Sequence, residues 1–148
     1  MIIIRTNSEN ADFIKLVALL DADLKFRDGE DHAFYAQFNK IAKIKYAVVA
    51  YENEIAVGCG AFKEYSPDTV EVKRMYVSGN ERGKGIATKV LAELEKWAGE
   101  LNYSYCILET GKNQPEALGL YKKNNYSVIP NFGQYQNVEN SVCFKKKL

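Results

Sequence analysis

Ile2 to Arg5 forms a short apolar run that predicts a first strand. Phe13, Val17, Leu20 and Leu24 then recur at spacings of four, three and four, the period of a helix face, with Asn7 or Ser8 ahead of them as cap. Arg27-Asp28-Gly29 has turn composition, and residues 31 to 40 predict a second helix with Phe34, Tyr35 and Phe38 on one side. Tyr46 to Tyr51 is continuously apolar, as a buried strand is, and Glu52-Asn53-Glu54 turns it into a partner strand, Ile55 to Lys63. Ser66-Pro67-Asp68 makes another turn before a strand from Thr69 to Val77. A glycine-containing loop leads into a long helix, about Gly85 to Leu101, striped by Ile86, Val90, Leu91, Leu94, Trp97, Ala98 and Leu101. Tyr103 to Glu109 predicts a strand. Asn113 starts a further helix with Pro115 in its first turn, and Asn124 and Asn125 end it. Short strands near Tyr126 to Ile129 and Ser141 to Lys146 flank a polar, aromatic loop from Asn131 to Asn140. The order predicts one mixed α/β domain.

Composition narrows the class without naming a function. The chain has 148 residues, 47% hydrophobic and 26% charged, which suits a single soluble globular domain. Net charge is +1 and the basic residues are spread among acids, so no concentrated surface for nucleic acid is expected. Lys145-Lys146-Lys147 is a basic run at a solvated chain end. Cys59, Cys106 and Cys143 are odd in number and far apart, which predicts buried thiols in a reducing compartment and no disulfide framework. With His32 as the single histidine, zinc-ligand spacing is missing and no metal is expected. The opening MIIIRTNSEN has no basic leader, and no window approaches the roughly 20 apolar residues of a membrane span. The expectation is a cytoplasmic protein with no membrane partner.

Chemistry concentrates in residues 70 to 97, VEVKRMYVSGNERGKGIATKVLAELEKW. A strand that runs through a glycine turn into a helix aims several main-chain N–H groups, and the positive helix end, at one point. A phosphate or diphosphate fits there. Three motifs compete for this loop. A phosphate-binding loop of the nucleoside-triphosphatase type needs glycine at position 78 and a hydroxyl residue at 85, but the chain has Ser78 and Gly85. A dinucleotide fingerprint on Gly83-Lys84-Gly85 needs a third small residue where Thr88 stands, and hairpins precede the loop in place of a βαβ start. The third pattern, Arg/Gln-x-x-Gly-x-Gly/Ala, is met by Arg82-Gly83-Lys84-Gly85-Ile86-Ala87.

That pattern resembles the acetyl-CoA loop of the GNAT N-acetyltransferases. The likeness extends to Arg74-Met75-Tyr76-Val77 ahead of the loop, and to Asn113, Ala117-Leu118-Gly119-Leu120-Tyr121-Lys122-Lys123 and Asn125-Tyr126 after it. It is clear from about residue 46 onward and weaker over the first forty. It implies a GNAT-like α/β fold, with a mostly antiparallel sheet of six to seven strands flanked by four helices.

The resemblance also implies roles. Backbone from Arg82 to Ala87, with Thr88 in the first helical turn, would hold the diphosphate of acetyl-CoA, and Arg82 and Lys84 would add charge. Met75, Tyr76 and Val77 would pair with the pantetheine arm, the N–H near Val77 would polarise the thioester carbonyl, and Asn113 would bond the pantetheine. An alkylammonium has a pKa near about 10.4, so an amine acceptor needs deprotonating. Glu71 is the candidate base, with Glu109, Glu64 and Tyr65 as rivals. Tyr121 is the candidate acid beside the sulfur. Tyr35, Asn39 and Tyr135 are acceptor candidates, with Gln37, Phe132 and Glu139 near them in sequence. A small-molecule amine is the leading acceptor class. A protein or peptide amine, or an acyl-CoA sensor without turnover, are the alternatives. Homodimers are common in the family.

Overall fold

A computed structural model describes residues 1–28 and 43–148. Seven strands form one sheet in the order β1-β2-β3-β4-β5-β7-β6. They are β1 (Ile2–Thr6), β2 (Tyr46–Glu52), β3 (Ile55–Ser66), β4 (Thr69–Val77), β5 (Tyr105–Gly111), β6 (Ser127–Ile129) and β7 (Ser141–Lys147). Every adjacent pair is antiparallel except β4 and β5. Three α-helices lie among the described residues, where four were expected: α1 (Ala11–Asp28), α2 (Ile86–Glu100) and α3 (Pro115–Lys123). The expected helix over 31 to 40 falls outside the described residues.

The sheet is covered on both faces. On one, Phe13, Leu16 and Val17 of α1 pack against Ala47, Val49, Cys59 and Ala61. On the other, Val90, Leu91 and Leu94 of α2 pack against Val48, Phe62, Val70 and Val72, a cluster that continues to Tyr121, Tyr126 and Phe144. Because both faces of β2 are buried at its centre, its sequence is apolar from Tyr46 to Tyr51 instead of alternating.

Local details depart from the sequence expectation for identifiable reasons. Asn10 caps α1, its Oδ1 accepting from the Phe13 amide at 2.9 Å. Asn7 instead accepts from the Glu9 amide, and Ser8 exchanges bonds with Ile44. Helix α1 also runs through Arg27 and Asp28, which were expected to turn. The hairpin turn holds Asn53 and Glu54 at φ 48° and 68°, both left-handed, as a tight two-residue β-hairpin demands. Strand β5 starts at Tyr105 and reaches Gly111, two residues further along than expected at each end.

One irregularity shapes the molecule's centre. Cys59 pairs with Tyr76 and Ala61 with Lys73, so one residue of β3, Gly60, faces two of β4, Arg74 and Met75. Arg74 sits at φ 61° in this bulge. Gly60 suits the position opposite it, since a Cβ there would lie 2.6 Å from Met75 Sδ and 2.8 Å from Leu94 Cδ1 and would force those side chains to shift.

Candidate active site

Strands β4 and β5 are hydrogen-bonded only where Thr69, Val70 and Glu71 meet Tyr105, Cys106 and Ile107. Beyond Glu71 they part, while β4 stays on β3 and β5 stays on β7. The separation leaves the β5-facing edge of β4, from Val72 to Val77, without a strand partner among the described residues. A cleft of about 560 Å³ lies in that gap.

One end of the cleft is the turn before α2. Gly83 and Gly85 have φ of 83° and 79°, and a Cβ at either would meet nothing within 4 Å, so both face open room. Gly85 is the N-cap of α2 and offers no side-chain cap, and the first turn holds no acidic residue. Ile86, Ala87 and Thr88 line the cleft, and their amides, the first of the helix, have no helical carbonyl ahead of them and no acidic side chain in that turn to satisfy them. Two neighbours are already engaged. Arg82 donates from Nε to the Val77 carbonyl at 3.1 Å and lies 3.7 Å from Asp23, bracing the turn against the end of β4. Lys84 is exposed, pairs with Glu81 at 2.8 Å, and does not line the cleft; that bond raises the pKa of its ammonium.

The wall opposite β4 comes from the end of β5 and from α3, with Thr110, Gly111, Gln114, Ala117, Leu120 and Tyr121. Pro115 occupies the first helical position of α3, so Gln114 is its cap and stands on the cleft. Asn113 is exposed in the preceding turn and does not line it. Tyr121 is buried against the rings of Tyr126 and Phe144. Burial, and then the charge of Glu109, push its hydroxyl above the usual tyrosine range, so it stays protonated at neutral pH.

A charged group occupies the α1 face of the same cleft. Val70 and Val72 point into the α2 core, so alternation turns Glu71 and Lys73 to the other side. Glu71 is 4% exposed and its Oε2 lies 3.6 Å from Lys73 Nζ. Burial lowers the Lys73 pKa, and Glu71 opposes that shift. Glu109 Oε2 accepts from Ser141 Oγ at 2.6 Å. Tyr135 closes this side, buried and edge-on to Phe132. The pKa of its hydroxyl is raised first by burial and then by the charges of Glu109 and Glu71, which line the same cleft. Arg74 also lines the cleft and is buried, with Nη1 donating to Asp21 Oδ1 of α1 at 3.0 Å.

The cleft therefore unites Glu71, Met75, Tyr76, Val77, Arg82, Gly83, Gly85, Ile86, Ala87, Thr88, Tyr121 and Tyr135. Glu64 is bound instead to the Tyr103 hydroxyl at 2.7 Å, and Tyr65 packs edge-on to Phe132; neither lines the cleft. Phe132 and Glu139 do not line it either. Tyr35, Gln37 and Asn39 lie outside the described residues. The sequence expectation missed Lys73, Arg74, Gln114 and the α1 residues Leu20, Asp23 and Leu24. One signal for Arg74 was available: Lys73-Arg74 interrupts the alternation that begins at Val70, as a bulge does.

Among the described residues no three His, Cys, Asp or Glu side chains are grouped to hold a metal ion. The three cysteines are buried and unpaired. No described helix is long and apolar enough to cross a membrane.

The family model for the acetyltransferase (GNAT) family matches residues 14–126. The N-acetyltransferase YsnE of Bacillus subtilis, itself uncharacterised, is 34% identical over 101 residues, 67% of each chain. A solved structure of a proposed acyl-CoA N-acyltransferase from Klebsiella pneumoniae is 30% identical, with a TM-score of 0.83 over 99% of this chain and 97% of that one. PaiA N-acetyltransferase from Thermoplasma acidophilum, solved in complex with coenzyme A, shares the fold at 18% identity, with a TM-score of 0.72 over 100% of both chains.

Proposed function

The chain belongs to the GNAT acetyltransferase family and is an N-acetyltransferase, and from that premise we propose that it holds acetyl-CoA between β4 and β5 and acetylates a primary amine of a small molecule. The observation that carries the reading is the parting of β4 from β5 next to a helix N-terminus that no side chain caps among the described residues.

The residues present fit such a ligand. Gly83 and Gly85 leave space above the turn, so the amides from Arg82 to Thr88 can approach a diphosphate closely, with the α2 dipole favouring the negative charge. The unpartnered edge of Met75, Tyr76 and Val77 offers main-chain donors and acceptors to an extended amide chain, as a sheet edge does to an added strand. Gln114 takes the polar position proposed for Asn113 on the facing wall. Acetyl-CoA supplies the activated acyl carbon as a thioester.

Glu71 is the base in this scheme. It is buried on the α1 face, away from the α2 side on which Tyr121 sits, so it can take a proton from an acceptor entering on that face, directly or through one water. Glu109 shares the face and adds negative charge that attracts an ammonium. The main-chain N–H near Val77 donates to the carbonyl oxygen as charge develops there. Tyr121, kept protonated by burial, donates its proton to the departing sulfur. The buried, unpaired cysteines suit a reducing, cytoplasmic setting.

A thiol-release assay tests the reading: the purified protein with acetyl-CoA should liberate free thiol with at least one amine of a broad panel. Tight acetyl-CoA binding without thiol release from any amine would favour a sensor. Release with peptides alone would move the acceptor to a protein amine.

A further inference from the structure

We propose that the acceptor amine also carries a carboxylate, and that Arg74 receives it on the α1 side of the cleft. This deepens the transferase reading above and rests on it. Arg74 lines the cleft, yet it is 6% exposed and its side chain 2%. Nη1 is bound to Asp21, but Nη2 is buried with no hydrogen-bond partner. Among the described residues it is the sole buried side-chain N or O atom left so.

A buried cationic donor without an acceptor loses its hydration and gains nothing in return, and folded proteins rarely retain one. A carboxylate is the complementary partner, since a guanidinium offers it planar, charge-assisted bonds. The strained φ of 61° at Arg74 fixes where the side chain leaves β4, so its direction is set by the bulge. Lys73 lies on the same wall but is paired with Glu71, which leaves Arg74 to meet the anion.

Glu71 and Glu109 suit the ammonium end of a substrate, while Arg74, whose Nη2 lacks a partner, suits an anionic end. A zwitterionic amino acid satisfies both. A polyamine or aminoglycoside would bring a second cation against Arg74, a repulsion that selects against it.

The test pairs L-amino acids with their decarboxylated amines and methyl esters, for example phenylalanine with phenethylamine and lysine with cadaverine, in the thiol-release assay. At least one amino acid should exceed its amine and its ester in kcat/KM by about tenfold or more. Arg74→Gln should collapse that ratio, mainly through KM for the acid, and Arg74→Lys should restore part of it if the glutamine variant fails to fold. Asp21→Asn, which loosens the same packing but spares the guanidinium, should preserve the ratio. Equal rates within every pair would overturn the inference while leaving the transferase reading intact. An Arg74→Gln variant that lowered both members equally would assign Arg74 to packing. Bound acetyl-CoA with no thiol release from either member of any pair would overturn the transferase reading, and this inference with it.

Discussion

Replacing Gly85 by alanine and by glutamate separates backbone strain from charge at the turn that should hold the diphosphate. Its φ of 79° is left-handed and no heavy atom lies within 4 Å of a Cβ there, so neither side chain clashes with the protein at that atom. Both variants carry the same backbone cost, about 1–2 kcal/mol. In a chain of this size each kcal/mol lowers Tm by about 2–4 °C. The glutamate sits at a helix N-terminus, where a negative charge is favoured by about 0.3–1 kcal/mol, so Gly85→Glu should melt no lower than Gly85→Ala. Against a diphosphate the sign reverses. A like charge at ~6 Å in an effective dielectric of ~20 costs about 3 kcal/mol. Acetyl-CoA should therefore bind Gly85→Glu about a hundredfold more weakly than Gly85→Ala. Calorimetric titration at low salt measures both affinities, and added salt should narrow the gap. Equal Kd values for the two variants would refute the placement of the diphosphate at this turn.

Tyr121→Phe should lower kcat by about tenfold or more while acetyl-CoA affinity stays within a few-fold, measured by steady-state kinetics beside titration; unchanged kcat would make Tyr121 a packing residue. Glu71→Gln should lower kcat/KM by about 10²–10⁴ at neutral pH and recover with rising pH as the free amine becomes available. A flat response of that variant to pH would assign deprotonation elsewhere, with Glu109→Gln the next variant to measure. Tyr51 donates to Asp12 at 2.6 Å, and burial with that bond pushes its pKa up to about 12 from an ordinary 10. The folded state thus keeps a proton that the unfolded chain releases, so this stabilisation is full below pH 10 and is lost as pH rises through about 12. Thermal melts of Tyr51→Phe should show a shallower decline across that window than the parent protein, and parallel declines would contradict the assignment.

Much of this architecture was legible because local and global signals agree. The α2 stripe, the glycine turn before it and the Glu52-Asn53-Glu54 hairpin each combine a hydrophobic period with a residue type that the backbone needs. The Asn125 end of α3, at φ 71°, follows the same logic. What escaped was set by register or by tertiary contact. Asn7, Ser8 and Asn10 are all competent caps, and packing of Phe13 and Ser8 against the Ile44 region decides for Asn10. Leu16, not Leu24, joins the buried stripe of α1, because the sheet meets the first turns of that helix. Gln114 was within reach, since a proline at the first helical position makes the preceding residue the cap, but the asparagine beside it drew the assignment. The bulge at Arg74 depends on Met75 filling the space above Gly60, a contact between residues on different strands. Alternation turns Glu71 and Lys73 toward α1, and the break in it at Lys73-Arg74 is the one mark of the bulge in the sequence.

In the proposed complex, ligand amides and phosphates take the places left open by β5 and by the uncapped start of α2. A crystal structure of the protein grown with coenzyme A tests it most directly. The diphosphate should lie within hydrogen-bond distance of main-chain amides between residues 82 and 88, with pantetheine amides bonded to the main chain of residues 75 to 77. Coenzyme A bound elsewhere, or a gap between β4 and β5 closed by protein side chains, would contradict it.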